Sequence, residues 1–248
     1  AHVKVDVLDA AELSQFLSKT NPDIIIWSIY DLQKEEKLTE IGLNNLLKNI
    51  SKTTKIVYIS TTIAAGPNQS ETIEPVYRTE DMYICKYVNG KINGEKLIRT
   101  HKNHIIVRPG SIYGIDGYNR VDIRTKIIRE KIKNKISYIR AENLLTSFVN
   151  VHDLSQAIFE LIELDFTGTI NIAGDIPISH YYFSKKRAEH LGLDTSYITA
   201  EKKKAAYKYS LDITKQKELL KTFICKQNQY KAYSLITILI YFRENLPQ

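Results

Sequence analysis

The chain has 248 residues, of which 43% are hydrophobic and 25% charged, so it is long and apolar enough to bury a sizeable core. This composition excludes disordered, collagen-like and low-complexity proteins. The longest apolar run near the C-terminus, at 235–242, is far shorter than the roughly 20 residues of a bilayer span. The two cysteines, Cys85 and Cys225, offer neither metal-ligand spacing nor a disulfide framework. With no apolar signal segment at the N-terminus, we expect a cytoplasmic protein without a membrane partner.

The formal net charge is +7, and the basic residues are concentrated at 120–140 and 202–231. A basic surface can attract nucleic acid, hold the phosphates of a nucleotide-linked substrate, or simply be solvated. Charge alone does not choose among these. Because no nucleic-acid-binding motif accompanies the basic residues, we expect no nucleic-acid partner.

In chain order, the predicted elements alternate between strands and helices. Residues 3–7 alternate as a strand does and are followed by a helix with apolar positions at Leu13, Phe16 and Leu17. Residues 24–27 form a continuous apolar run, which is typical of a strand buried on both faces. The same pattern then predicts a helix at 38–50, a strand at 55–60, a helix at 83–101, and strands at 105–108, 147–151 and 168–172.

Strands that alternate with helices of about 10 to 15 residues, without hairpin signals, predict a parallel sheet covered on both faces. We therefore predict an α/β protein with a doubly wound, Rossmann-like parallel sheet. Residues 1–117 are expected to form the main domain, and residues 118–248 a smaller C-terminal lobe partly interleaved with the sheet. In such a fold, ligands bind beyond the carboxyl ends of the strands.

Tyr87 and Lys91 lie four residues apart, on one face of a predicted helix. The chain contains four Tyr/Lys pairs with this spacing, so the spacing alone is not diagnostic. Tyr87 differs from the other tyrosines in its context. Its helix follows a strand that ends at Ser60 and Thr61, and it precedes a strand that ends at 108–111. These strand ends are expected to converge on one crevice.

This group suits the reduction of a ketone. Hydride addition to the carbonyl carbon leaves an alkoxide that must be protonated, and tyrosine, with a pKa of about 10, is a poor acid-base partner at neutral pH. A cation at Lys91 is expected to lower that pKa, while a hydroxyl at Thr61 or Ser60 can hold the substrate oxygen. The alternative is that Tyr87 and Lys91 are merely surface residues of an amphipathic helix. Cys85 and the histidines are expected to have structural roles, so we expect no metal site.

Seven segments of the chain resemble, in order, the extended short-chain dehydrogenase/reductases, and most closely their dTDP-4-dehydrorhamnose reductase branch. The segments are 5–9 (VDVLD), 21–26 (NPDIII), 58–61 (YIST), 87–95 (YVNGKINGE), 107–114 (VRPGSIYG), 148–154 (FVNVHDL) and 168–174 (GTINIAG). This resemblance implies reduction of the keto group of a 4-keto-6-deoxy sugar linked to a nucleoside diphosphate, as in dTDP-rhamnose biosynthesis. NADPH or NADH is the implied cofactor, and a homodimer is compatible with the resemblance.

The resemblance also implies roles for particular residues. The catalytic residues are Thr61, Tyr87 and Lys91, with Tyr87 as the proton donor. The substrate-binding residues are Thr61, Thr62 and Ser111. The implied cofactor-binding residues are Asp6 and Val7 at the adenine, Ser28, Ile29 and Tyr30 along the pyrophosphate and ribose, Pro109 and Gly110 near the nicotinamide, and Ser60, Tyr87 and Lys91.

The chain departs from the family's pattern in several places. The first strand and the Gly-rich turn that holds the pyrophosphate are expected before Val3 and are absent from the sequence. We expect a truncated or processed form, because the catalytic residues are retained; genuine loss of part of the cofactor site is the alternative. Trp27, Thr62 and Ser111 also differ from the family, which leaves the sugar open.

Two other functions remain open. One is a nucleotide-sugar epimerase or dehydratase of the same superfamily, which regenerates its cofactor in each turnover. The other is a catalytically silent dinucleotide-fold protein that acts as a regulatory subunit or binds RNA through its basic residues.

Overall fold

The structure is a computed structural model that describes residues 3–62, 66–117, 119–204 and 207–221. Cys225, the apolar run at 235–242 and the end of the basic stretch at 202–231 lie outside these residues. No helix in the described ranges is long and apolar enough to cross a membrane.

The elements follow one another in the order α1 (Ala10–Thr20), β1 (Ile24–Trp27), α2 (Glu35–Lys37), a π-helical turn (Leu38–Leu43), α3 (Asn44–Asn49), β2 (Lys55–Ile59), α4 (Cys85–Ile98), β3 (His104–Pro109), β4 (Ser111–Tyr113), α5 (Ile123–Lys133), β5 (Tyr138–Ala141), β6 (Leu144–Thr146), β7 (Phe148–Asn150), α6 (Val151–Glu163), β8 (Gly168–Ile172), β9 (Ile178–Ser179), α7 (His180–His190), a 3₁₀ turn (Thr195–Tyr197), β10 (Ile198–Glu201), β11 (Tyr207–Tyr209) and α8 (Thr214–Leu219).

The main sheet has the strand order β1-β2-β3-β8, and all three pairings are parallel. In register, Ile25 pairs with Ile56, Val57 with Ile105, and Ile106 with Thr169. Helices connect the parallel strands, as their geometry requires. The α/β class and the doubly wound parallel sheet are therefore confirmed.

The main sheet is buried on both faces. Tyr58 and Ile106 belong to a core cluster with apolar residues of α1, the π-helical turn, α3 and α4. Val57, Ile105 and Val107 point to the opposite face, into a cluster with the apolar side of α6. This two-sided burial explains why the central strands read as continuous apolar runs rather than as alternating patterns.

Two of the sequence predictions for the N-terminal third need correction. Residues 3–7 form no strand, although Val5 and Val7 are buried. Their alternation reflects side chains that pack into the core beside α1, without a neighbouring strand in the described chain. The helix predicted at 38–50 begins earlier, at Glu35, and passes through the π-helical turn before α3. Short π-helical insertions of this kind often occur at functional sites.

Short strands and helices follow β3 in the C-terminal part. Among the described residues they form three small sheets: β4 with β7, β5 with β10, and β6 between β9 and β11. Phe148 and Phe183 stack at a centroid distance of 4.0 Å and join β7 to α7. Because β8 belongs to the main sheet, the chain leaves that sheet after β3, forms β4 to β7 and then returns.

Candidate active site

The carboxyl ends of β1, β2 and β3 lie at one edge of the parallel sheet, and α4 runs beside them. After β2 come Ser60 and Thr61, and after β1 come Ser28, Ile29 and Tyr30. The Thr61 side chain lies close enough to that of Tyr87 to influence its pKa. The Tyr30 ring meets the Tyr87 ring edge-on at a centroid distance of 6.3 Å. The structure thus brings residues from two strand ends onto Tyr87.

Helix α4 carries Tyr87 and Lys91 on one face, as the sequence predicts. The Lys91 ammonium lies 5.8 Å from the centroid of the Tyr87 ring and 5.0 Å from that of Tyr58. It donates a hydrogen bond of 3.0 Å to the Ile29 carbonyl oxygen. Lys91 is only 1% exposed. The alternative of a solvated surface lysine is therefore wrong.

A glycine allows α4 to approach α2 closely. A Cβ added at Gly90 would lie 2.8 Å from the backbone carbon of Glu35. This approach seats the Glu35 side chain beside Lys91. The Lys91 ammonium lies 2.9 Å from Glu35 Oε1, and both side chains are almost completely buried. The other carboxylate oxygen, Glu35 Oε2, accepts a hydrogen bond of 2.8 Å from the Asp31 backbone N–H.

The electrostatics of this group differ from the expectation for Lys91. Burial raises the pKa of Tyr87 to about 12, and the negative charge of Glu35 adds to that rise, while the Thr61 side chain opposes it. Burial lowers the pKa of Lys91, an effect that Glu35 opposes. Burial also raises the pKa of Glu35, against the attraction of Lys91. Because burial, with a further contribution from Glu35, raises the pKa of the phenol, the expected lowering of that pKa by Lys91 is not found.

Three of the predicted cofactor residues are buried: Ser60, Pro109 and Gly110. The Ser60 hydroxyl donates a hydrogen bond of 2.6 Å to Glu95 Oε1, which Arg108 also contacts through its Nε at 2.9 Å. Since the Ser60 hydroxyl is engaged away from Tyr87, Thr61 is the strand-end hydroxyl that can meet a substrate oxygen.

Asp6 and Val7 lie beside α1 and α3, away from α4. The Asp6 carboxylate accepts a hydrogen bond from the Leu8 backbone N–H at 2.9 Å. Val7 is buried, and its carbonyl oxygen accepts from the Asn45 side-chain amide at 3.2 Å. The Val7 side chain is therefore a core group, and only its backbone can face a ligand.

The predicted substrate residues Thr62 and Ser111 lie near the end of β3. The Thr62 hydroxyl donates to the Pro109 carbonyl oxygen at 3.3 Å. Ser111 opens β4 and is half-buried. Its neighbour Ile112 accepts a hydrogen bond of 3.2 Å from Arg124 Nη1 through its carbonyl oxygen. This last contact connects the strand end to a cluster of cationic side chains.

We call this group, Arg124, Arg140 and His180, the cationic cluster. Arg140 Nη2 donates to His180 Nδ1 at 2.8 Å, because a guanidinium has no acceptor. Burial, together with the positive charges of Arg140 and Arg124, lowers the pKa of His180 to about 4. Arg140 Nε is buried without a hydrogen-bond partner in the described chain. Tyr83, just ahead of α4, is close enough to affect the pKa of Arg124.

The described residues contain no group of three or more His, Cys, Asp or Glu side chains that could hold a metal ion. Cys85, the first residue of α4, is a half-buried free thiol whose sulfur contacts the Glu80 carbonyl oxygen at 3.6 Å.

Sequence reasoning missed Glu35, which lies within the charged run Lys34-Glu35-Glu36-Lys37 and reads there as a solvated residue. One signal could have found it. Positions 35, 38, 39 and 42 have the spacing of one helical face, and Leu38, Thr39 and Gly42 are all buried.

No protein-family model and no curated protein matches the chain. Solved structures match its fold. A hypothetical dTDP-4-dehydrorhamnose reductase from Sulfolobus tokodaii aligns with a TM-score of 0.72 at 24% identity, over 91% of this chain and 84% of that chain. The dTDP-4-dehydrorhamnose reductase from Bacillus anthracis, solved in complex with NADP, aligns with a TM-score of 0.69 at 22% identity, over 89% and 83%.

A third solved structure has a different reaction in its name. The dTDP-glucose 4,6-dehydratase from Bacillus anthracis, in complex with NAD, aligns with a TM-score of 0.71 at 16% identity, over 88% of this chain and 72% of that chain. The chain therefore has the fold shared by solved dTDP-4-dehydrorhamnose reductases and related sugar-nucleotide enzymes of the short-chain dehydrogenase/reductase superfamily.

Proposed function

We propose that this chain is an NAD(P)-dependent oxidoreductase that reduces the keto group of a nucleoside-diphosphate-linked 4-keto-6-deoxy sugar. The observation that carries the proposal is the grouping of Thr61, Tyr87 and Lys91 at the carboxyl edge of the parallel sheet. Solved structures of the same fold contain NADP or NAD. We further propose the cytoplasm as its location and the strand-end residues as its cofactor site.

The residues around Tyr87 fit the nicotinamide ribose half of such a cofactor. The Lys91 ammonium forms an ion pair with Glu35 and donates one of its N–H groups to the Ile29 carbonyl oxygen, so it still has an N–H for a ribose hydroxyl. Because Gly110 has no side chain, its backbone lies close to Ser147: a Cβ added at Gly110 would lie 2.7 Å from the Ser147 carbonyl oxygen. When bound, the cofactor would supply the hydride. Asp6 and the backbone of Val7 are our candidates for the adenine contact.

The chain's own residues then handle the substrate oxygen and its proton. The Thr61 hydroxyl donates to the carbonyl oxygen, where negative charge develops. The Tyr87 hydroxyl gives its proton to the resulting alkoxide, which is a much stronger base than a phenolate. Because burial raises the pKa of Tyr87 to about 12, the phenol is protonated at neutral pH and ready to donate. In this state Tyr87 can act as the acid that reduction requires.

The cationic cluster supports a nucleotide-linked substrate. Arg124, Arg140 and His180 gather two permanent positive charges and an unpartnered buried N–H beside the predicted substrate residue Ser111. Guanidinium groups bind phosphate oxygens with paired, charge-assisted hydrogen bonds. We therefore place the diphosphate of the substrate at this cluster.

The test is to incubate the full-length protein with NADPH and a panel of dTDP-, UDP- and GDP-linked 4-keto-6-deoxy sugars. We expect NADPH oxidation in proportion to the sugar consumed. Product formation without net NADPH consumption would establish the epimerase or dehydratase alternative instead. Absence of any product across the panel would refute the proposal and favour the catalytically silent protein.

The variant Tyr87→Phe tests the proton donor. It removes one oxygen and keeps the ring, so kcat should fall by at least about 100-fold with little change in substrate binding. Tyr181→Phe is the matched control, because Tyr181 also has a lysine four residues on, with the Lys185 ammonium 5.8 Å from its ring. That control should keep kcat within a few-fold of the wild type. Near-normal turnover by Tyr87→Phe contradicts the assignment.

A further inference from the structure

The proposed reaction gives no role to the carboxylate of Glu35, although this group is completely buried beside Lys91. Burying a charged group is costly unless it is paired, and a pair such as Glu35 and Lys91 often contributes little net stability. Replacing both side chains with apolar ones is frequently neutral or stabilising. A buried ion pair next to the proposed proton donor therefore calls for a role other than stability.

We propose that Glu35 is a positioning residue that holds the Lys91 ammonium in place and, by balancing its charge, keeps the Tyr87 phenol in its proton-donating form. The geometry that carries this proposal is the 2.9 Å ion pair between Glu35 and Lys91, fully enclosed beneath Tyr87. Glu35 is itself fixed by the Asp31 backbone N–H at 2.8 Å. Only the destination of the proton rests on the proposed function.

Charge balance in the enclosed site explains the effect. The groups that face this site are Asp31 ahead of α2, Glu35 in α2, Tyr30 after β1, Tyr58 on β2, Tyr87 and Lys91 on α4, and, beside Tyr58, Glu95, which is paired with Arg108. With Glu35 and Lys91 charged and Tyr87 neutral, these three side chains together carry no net charge. Removing the phenol proton would leave a net negative charge away from water, which is unfavourable.

Replacing Glu35 with a neutral side chain reverses this balance. Tyr87 and Lys91 then hold one uncompensated positive charge, and losing a proton from either of them restores neutrality. The two groups are coupled, so the lost proton belongs to the pair rather than to one residue. Without Glu35, the first proton should therefore leave at a lower pH, whichever group releases it. Burial lowers the pKa of Lys91 and so acts in the same sense at that residue, whereas it raises the pKa of Tyr87 and opposes the loss of the phenol proton.

An NMR titration of protein labelled with [ζ-¹³C]tyrosine and [ε-¹³C]lysine follows the protons on Tyr87 and Lys91. The variants Tyr87→Phe and Lys91→Met assign the two signals. In the wild type, the Tyr87 signal should not titrate near neutral pH, because burial raises its pKa to about 12; the wild-type Lys91 signal serves as the reference titration for the variants. In Glu35→Gln, which keeps the size of the side chain, at least one of the two should titrate about one pH unit or more lower. Glu40→Gln, an exposed neighbour, should match the wild type.

The proposal is overturned if Tyr87 titrates near neutral pH in the wild type, or if Glu35→Gln leaves both titrations in place. Should Glu35→Gln not fold, Glu35→Asp withdraws the carboxylate by one methylene and should shift the titration in the same direction by a smaller amount. An unchanged titration in Glu35→Asp would then contradict the proposal.

An activity measurement adds a readout that a merely structural role would not move. With an accepted substrate, the alkaline limb of the kcat profile should move to lower pH in Glu35→Gln and return toward the wild-type position in Glu35→Asp. The NMR titration needs no substrate, so it still tests Glu35 if the proposed reduction proves wrong. Conversely, if Glu35→Gln leaves both titrations unchanged while the wild type reduces the substrate, the role of Glu35 is refuted and the proposed reduction is not.

Discussion

Gly94 shows how tightly α4 is packed at the level of single residues. A Cβ added there would collide with the Tyr58 hydroxyl and lie 2.5 Å from Tyr58 Cζ. Tyr58 is completely buried in the centre of β2 and has no room to move away. Its ring also lies beneath the Lys91 ammonium, so this contact helps to fix the height of the proposed catalytic residues above the sheet.

Gly94→Ala should therefore destabilise the protein despite the better helix propensity of alanine. Overpacking of a close-packed core typically costs about 1 to 3 kcal/mol, which exceeds the gain of roughly 1 kcal/mol from replacing a helical glycine. Urea denaturation measures the free energy of unfolding. Gly117→Ala is the control, because nothing lies within 4 Å of its added Cβ, and its stability should stay within about 0.5 kcal/mol of the wild type. Equal stabilities for the two variants would contradict this packing.

Tyr87 and Lys91 could be predicted from the sequence because local spacing and the flanking strand ends together single them out. Glu35 could not be predicted with the same ease. Its neighbours in the sequence are charged, and its burial depends on Gly90, 55 residues further on, which lets α4 approach α2. The cationic cluster was only partly visible. Arg124 and Arg140 lie in a recognised basic stretch, but His180 joins them through folding.

At the level of elements, α5 begins at a well-satisfied cap. Asp122 accepts hydrogen bonds from the Thr125 backbone N–H at 3.0 Å and from the Gly114 N–H at 3.0 Å. Burial alone would raise the pKa of Asp122, but its hydrogen bonds with Thr125 and Gly114 outweigh burial and lower it. The cap thus ties the basic helix α5 to the end of β4.

Asp122→Ala should destabilise the protein by about 1 to 2 kcal/mol at neutral pH, the usual cost of losing a helix cap. A carboxyl group whose pKa is lowered on folding contributes stability above its unfolded pKa of about 3.9, and this is lost as the pH falls through its folded pKa. The difference between variant and wild type should therefore shrink below about pH 4. Urea denaturation at pH 7 and at successively lower pH measures it, and a constant difference would contradict the role of the charge.

The elements themselves could largely be predicted because strands buried on both faces leave unbroken apolar runs. The four strands of the main sheet were predicted to within about two residues, and the helix that became α4 to within about three. Residues 3–7 misled because an alternating pattern records only which side chains are buried, not whether a partner strand exists. The π-helical turn has no local sequence signal and follows from packing against α4.

At the scale of the whole molecule, the cationic cluster links α5, β5 and α7 to β4, the strand that directly follows β3 of the main sheet, so a ligand there should stabilise the fold. Addition of dTDP or UDP should raise the Tm, with a gain of about 2.7 kcal/mol when the ligand is at 100 times its Kd. Arg140→Met should abolish most of this shift. Arg129→Met, which removes an exposed arginine of α5, should retain it. Differential scanning fluorimetry decides, and an undiminished shift in Arg140→Met would place the diphosphate elsewhere.

The return of β8 to the main sheet has a consequence for how the chain folds. Ile105 on β3 pairs with Gly168 on β8, 63 residues further on. The strand β8 can therefore join the main sheet only after the residues between them have been synthesised. Contacts of such long range slow folding, because the loop must close before the pairing stabilises it. Until then, the apolar edge of β3 at Ile105 to Val107 is open to other chains. Misassembly during synthesis should therefore begin at β3, a strand of which every residue but His104 is buried in the folded protein.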